Sequence, residues 1–187
     1  MKYLKYIKFK FFLGLIRNIF LKIRYGSQIK LNIFRVFIDK DVNIQILNNG
    51  SITFDASRDR IFISRGCDII SSGGVIHFGD GFFMNKNVTI VSHQSIHFGN
   101  DVMLGPNVCI FDSDHNFIST HQAFRYQGYK KKQIFLGDNV WVGANAILLG
   151  GAEIQSNVVI GANSMVKHSL EKNAVYVGSP AKKVKNI

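Results

Sequence analysis

LGDNVWVGANAILLGGAEIQSNVVIGANSMV, residues 136–166, decides the fold. Apolar residues fall at Leu136, Val142, Leu148, Ile154, Ile160 and Val166, six positions apart without a slip. Gly or another small or polar residue often follows, as in LGDN, VGAN and IGAN. Six is neither the helical period nor simple alternation. It fits a short strand followed by a tight corner. Three such units close a triangular coil of about 18 residues, and stacked coils repeat at the strand spacing of about 4.8 Å. The inward residues form a ladder, and Gly and Asn serve corners that need positive φ.

Upstream the rhythm persists with interruptions. It runs through Phe78, Met84 and Ile90, takes two extra residues, and resumes at Phe98, Leu104 and Ile110. A second apolar residue often sits four places on, at Val88, Val102, Val108, Val140, Ala146 and Val158, and at Met165 beside Ser164. Before Phe78 the pattern loosens, and Ile44, Ile46, Ile52, Phe54, Ile61, Ile63, Ile69 and Ile76 predict less regular coils. Residues 41–187 are therefore read as one β-helix, and residues 1–40 as a separate basic, aromatic segment.

That segment carries the charge. Residues 1–40 hold ten Lys/Arg against Asp39, which accounts for +9 of the formal +11. The body is nearly neutral. The apolar run Phe11–Ile16 is short, Arg17 and Lys22 interrupt its continuation, and no small-residue cleavage site follows, so it does not read as a signal peptide. It is too charged to span a bilayer. It predicts a short helix, packed on the body or a sister subunit, or lying on an anionic membrane surface. A nucleic-acid partner is not expected, because the basic excess is confined to one segment without a binding motif. Cys67 and Cys109 are far apart and read as reduced core thiols in a reducing compartment.

The rhythm breaks at CIFDSDHNF, residues 109–117. From Ile110 to Leu136 is 26 residues where one hexad would take six, so twenty leave the coil. The excursion is taken as residues 112–133. A loop of that length is usually functional or disordered. His115 stands where the chain departs, on a rigid support that the loop can cover. Asp112 and Asp114 could orient it, meet a sugar hydroxyl, or be solvated loop carboxylates. Adjacent residues of extended chain point opposite ways, which disfavours an Asp114–His115 pair. Trp141, the only tryptophan, precedes inward Val142 and should point outward. Lys130, Lys131 and Lys132 form a charge run on the excursion.

The repeats, DHNF with its long excursion, MNKNVTIV and the closing VIGANSMVKHSLEKNAVYVGSPAKKV together resemble the hexapeptide-repeat acyltransferases over roughly residues 73–185. The likeness is to the sugar and surface-polysaccharide O-acetyltransferases and the maltose and galactoside acetyltransferases. The resemblance implies an all-β, left-handed parallel β-helix, a homotrimer with sites between subunits, acetyl-CoA as cosubstrate, and no metal. It implies His115 as catalytic base, with Asn85 and Ser71 at the acceptor. His93 falls where the galactoside enzymes carry an acidic acceptor contact, a departure in this chain. The resemblance puts Trp141 beside the pantetheine arm, Ala144 and Ala162 against it, and Lys167, His168, Lys182 and Lys185 in the segment 166–187 that contacts coenzyme A. The expected acceptor is a sugar or glycan, and the expected location cytoplasmic, with peripheral attachment at the inner membrane face. Two other readings stay open: a zinc-dependent, carbonic-anhydrase-like hydratase using His93, His97 and His115, and a non-catalytic binding scaffold.

Overall fold

The six-residue rhythm becomes a solenoid of about seven turns in the computed structural model, which describes residues 2–187 and the side chains from Phe12 onward. Short strands stack into three sheets. The first runs from Ile29–Lys30 to Ser169–Leu170, the second from Val36–Ile38 to Lys182–Asn186, and the third from Asn43–Leu47 to Met165–Val166. Pairing within them is parallel until the last strand, Lys182–Asn186, which folds back antiparallel on Ala174–Val177.

Each hexad residue points inward, and every one from Phe78 to Val166 is buried. Full burial of such a side chain contributes about 1.5–3 kcal/mol, so the ladder is the main source of cohesion. Phe54, Phe78 and Phe98 stack coil over coil, with centroids 4.8 and 5.2 Å apart and planes within 7°; Phe82 meets Phe78 edge-on. The second apolar slot is filled as predicted at Val88, Val102, Val108, Val140, Ala146 and Val158. In the last coil that slot belongs to Ser164 rather than Met165. Ser164 is buried, and its hydroxyl accepts the Gly178 N–H at 3.0 Å.

Asparagine holds the corners. Asn87, Asn107, Asn145 and Asn163 all sit at φ 58–59°, and their side-chain amides hydrogen-bond from coil to coil at 3.0–3.3 Å. Asn139, Asn157 and Asn173 repeat the arrangement. Asn tolerates the left-handed region, and its amide both donates and accepts.

The N-terminal helix, Lys2–Tyr25, is 24 residues long rather than short. Only one glycine and no proline interrupt it, and its last three turns gain tertiary support. Leu21 enters the core, and Asn18 donates to the carbonyls of Ile33 and Val36 at 3.1 and 2.7 Å. The helix thus packs on the first coil. That coil opens at Ile29, so residues 29–40 build solenoid rather than belonging to the basic segment. Their charges hid them: Lys30 and Lys40 are exposed while Ile29, Leu31, Val36 and Ile38 are buried. Cys67 and Cys109 are free thiols; burial pushes the Cys67 thiol up.

Candidate active site

The excursion leaves from a locked root. Asp112 follows strand Cys109–Phe111 and is fully buried. Its carboxylate accepts the Ser92 hydroxyl at 2.7 Å and the backbone N–H groups of His93 and Gln94 at 2.7 and 2.8 Å. This corrects its expected place at the substrate, and it is no solvated loop residue. Asp112 lies two residues beyond inward Ile110, and period-two parity carries it inward. Ser71, also expected at the acceptor, is buried likewise and donates to the Gly74 carbonyl at 2.6 Å. Asp80 repeats the Asp112 device in the preceding coil, at the corner between the first and second sheets. It accepts the Arg58 and Asp59 N–H groups at 2.6 and 2.7 Å and the Ser57 hydroxyl at 3.0 Å. Burial alone would raise the Asp80 carboxyl, but these donors and the Arg58 side chain outweigh it and hold it below its ordinary range.

Beyond the root, Ser113–His115 pairs antiparallel with Tyr129–Lys131, setting His115 opposite Tyr129 and Asp114 opposite Lys130. The excursion is an organised hairpin. Gln127 accepts the N–H groups of Ile118 and Ser119 at 2.8 and 3.0 Å, and donates to the carbonyls of Ser119 and Gln122 at 2.7 Å. Tyr129 lies between two imidazoles: His115 at 4.4 Å and His93 at 5.0 Å between centroids.

His115 and Asp114 open on a cleft of about 430 Å³ that Lys130, Lys132 and Lys167 also line. Three ammonium groups against one carboxylate give the cleft a positive field suited to an anionic ligand. The exposed imidazole can exchange a proton with a group bound there. Of the imidazoles considered for zinc, His97 is elsewhere, stacked between His77 at 4.6 Å and Phe135 at 5.2 Å on the outer face of the first sheet. Burial, and then the neighbouring His77, push the His97 imidazole down, against a smaller opposing effect of Asp138.

The remaining predicted residues occupy another edge. Asn85 lies at the corner between the second and third sheets, and its side-chain oxygen accepts the Lys86 N–H at 2.8 Å. The strand register runs Met84, Leu104, Val142, Ile160 through successive coils, which places Ala144 and Ala162 along this same corner. The corner is tightly stacked: a Cβ at Gly105 would meet the Ala144 nitrogen at 2.7 Å, and one at Gly143 the Ala162 nitrogen at 2.6 Å. Trp141 is 52% exposed on the adjoining face of the second sheet. The pairings Trp141–Val159, Val159–Val175 and Val175–Lys185 put Lys185 in its column. Lys182 is exposed on the same final strand.

One chain therefore brings together His115, Asp114 and Lys167. The third sheet separates them from Asn85, Trp141, Ala144 and Ala162. His168 is exposed just past Lys167. Sequence reasoning missed Tyr129 and Gln127, whose roles come from the hairpin pairing; no spacing marks either.

A family model for the bacterial transferase hexapeptide (six repeats) matches residues 134–168. The chain is 42% identical to a galactoside O-acetyltransferase of Lactococcus lactis over 58% of its own length and 51% of that protein. It is 32% identical to WbbJ of Escherichia coli, named for O-acetyl transfer in lipopolysaccharide biosynthesis, over 75% of this chain and 74% of that one. AntD, an N-acyltransferase from Bacillus cereus solved with dTDP and 3-hydroxybutyryl-CoA, shares the fold at TM-score 0.73 and 23% identity, over 91% of this chain and 87% of that one. The chain spans about half the length of several curated relatives it matches. The repeat match and the likeness to WbbJ across three quarters of both sequences lead to one assignment: this chain belongs to the hexapeptide-repeat acyltransferase family.

Proposed function

We propose that the protein is an acetyl-CoA-dependent O-acetyltransferase that acetylates a sugar hydroxyl of a bacterial surface polysaccharide or its precursor. The observation that carries this reading is His115, exposed on a locked root and facing a cleft lined by three lysines. Membership of the acyltransferase family supports the chemistry. WbbJ and the galactoside enzyme support a sugar acceptor.

In the proposed reaction His115 removes the proton from the acceptor hydroxyl as its oxygen attacks the thioester carbonyl. The tetrahedral intermediate collapses, the carbon–sulfur bond breaks, and the imidazolium returns the proton to the departing thiolate. The products are an acetyl ester and free coenzyme A. Direct attack by the acceptor requires no protein nucleophile. The cosubstrate arm would follow the small-residue corner at Ala144 and Ala162, beside Trp141, with its phosphates near Lys182 and Lys185.

The separation of the two edges supports a site shared between subunits of a homotrimer. In that arrangement His115 of one subunit faces the Asn85, Trp141 and Ala144 edge of the next. A cytoplasmic location fits, since acetyl-CoA is the donor.

Thiol release from acetyl-CoA, measured across a panel of neutral, amino and acidic sugars and glycans, tests the proposal. An alkali-labile product formed only with acceptor, and lost in His115→Ala, is expected. An alkali-stable amide would transfer the reading to N-acetylation. Absence of acceptor-dependent release across the panel would favour a binding scaffold.

A further inference from the structure

The N-terminal helix has two faces, and the solenoid uses only one. Asn18, Leu21 and Tyr25, spaced along one helical stripe, face the body. Asn18 holds two carbonyls, Leu21 is buried, and the Tyr25 hydroxyl donates to the Ile44 carbonyl at 2.8 Å. Arg17 reinforces this face by donating to the Asp39 carbonyl.

On the opposite side Phe12, Leu13, Ile16, Ile19, Phe20 and Ile23 are all exposed, Phe20 at 60% and Ile23 at 77%. At 3.6 residues per turn these six fall in one arc of about 120°. From Phe12 to Tyr25 no polar residue falls within that arc; Arg24 stands about 20° beyond one edge and Lys22 about 60° beyond the other, between the apolar arc and the face on the body. The solenoid does not need this face, and a soluble surface helix would normally place charge there.

The sequence of the helix indicates what covers it. Residues 2–25 contain seven Lys/Arg and no acid. A second copy of the helix would meet apolar surface with apolar surface, but would also bring fourteen cations together with no carboxylate on either helix. An anionic bilayer offers both an apolar interior and negative headgroups. Among the described residues no helix is long and apolar enough to cross a membrane. We propose that this helix is a lipid-surface anchor. It lies in the plane of an anionic bilayer, with the Phe12–Ile23 face inserted and Lys22 and Arg24 at the headgroups. The solenoid is thereby moored by its N-terminal end. This inference is independent of the proposed acetyl transfer.

The full chain is tested by flotation with vesicles of phosphatidylglycerol and phosphatidylcholine, against vesicles of phosphatidylcholine alone. Binding to the anionic vesicles is expected to be at least about tenfold stronger at low salt and to weaken as salt is added. The combined variant Ile16→Glu, Phe20→Glu, Ile23→Glu should lose at least about tenfold in binding. Its melting temperature should stay within a few degrees of the parent, because all three side chains already face solvent. Lys22→Gln with Arg24→Gln, which leaves the apolar arc intact, should weaken binding several-fold. Failure of the parent to float with anionic vesicles at low salt would overturn the proposal. So would equal binding by the glutamate variant. A parent that ignores vesicles but falls to a smaller assembly when the three glutamates are introduced would identify a second copy of the chain as the occupant instead.

Discussion

The imidazole of His115 rests against the Tyr129 ring, with centroids 4.4 Å and planes 39° apart. The two residues face each other across the excursion's antiparallel pair, and His93 stacks on the same phenol ring at 5.0 Å. Tyr129 fixes where the proposed base sits. Its removal would leave His115 chemically intact but free to turn. Tyr129→Ala is expected to lower kcat about tenfold with a smaller change in KM, because misplacing a reacting group costs rate more than binding. Tyr129→Phe keeps the ring and should remain near the parent. Steady-state kinetics of both variants make the comparison, and a Phe variant as impaired as the Ala variant would move the role from the ring to the hydroxyl.

The solenoid was legible because its signal is periodic. Leu136 to Val166 names its own inward residues, and all are buried. His115 was legible because a rigid rhythm breaks immediately before it. Asp112 was half legible: parity with Ile110 turns it inward, but its three donors come from the preceding coil, eighteen to twenty residues away. Tyr129 lies fourteen residues after His115 through a loop without period, and only backbone pairing joins them. The first coil was hidden by Lys30, Arg35 and Lys40, whose charge outweighed the alternating Ile29, Leu31, Val36 and Ile38. Separation of Asn85 from His115 depends on which corner each occupies, and a hexad count alone does not reveal it.

Asp112 should matter for stability before it matters for chemistry. Asp112→Ala removes the acceptor shared by the buried Ser92 hydroxyl and the part-buried N–H groups of His93 and Gln94, at a cost of about 1–3 kcal/mol in all. The expected result is a loss of several degrees in melting temperature. Activity should also fall, because the root that carries His115 loosens. Thermal unfolding followed by circular dichroism checks the first effect. A variant as stable as the parent would show that water replaces the carboxylate at this corner.

The stacked pair His77 and His97 predicts acid sensitivity. Burial and the adjacent His77 depress the folded pKa of His97, so its neutral form is the one the fold accepts. The unfolded imidazole titrates near about 6.5. Between that value and the depressed folded one, the unfolded chain binds more protons, so this contribution to stability is full above about pH 6.5 and is lost as pH falls through the folded value. Asp138 opposes the shift without cancelling it. His97→Phe would continue the stack to Phe135 without a titrating group. Melting temperatures from pH 8 to pH 5 should decline less in the variant than in the parent. Parallel declines would assign the acid sensitivity to other groups.

The two edges of the chain make the shared site testable. His115 and Lys167 lie on one side of the third sheet; Asn85, Ala144 and Ala162 lie along the corner at its other side, with Trp141 on the adjoining face. If neighbouring subunits complete each other's site, His115→Ala and Trp141→Ala damage different halves of every site. Each variant alone then has no intact site. In a mixed assembly some interfaces pair an intact His115 with an intact Trp141, and activity should return to a sizeable fraction of the parent. Trp141 is exposed, so its truncation should leave the fold in place. Subunit exchange is verified by differently tagged chains, and acetyl-CoA-dependent thiol release is measured before and after mixing. Verified mixed assemblies without recovered activity would mean that both residues act from a single chain.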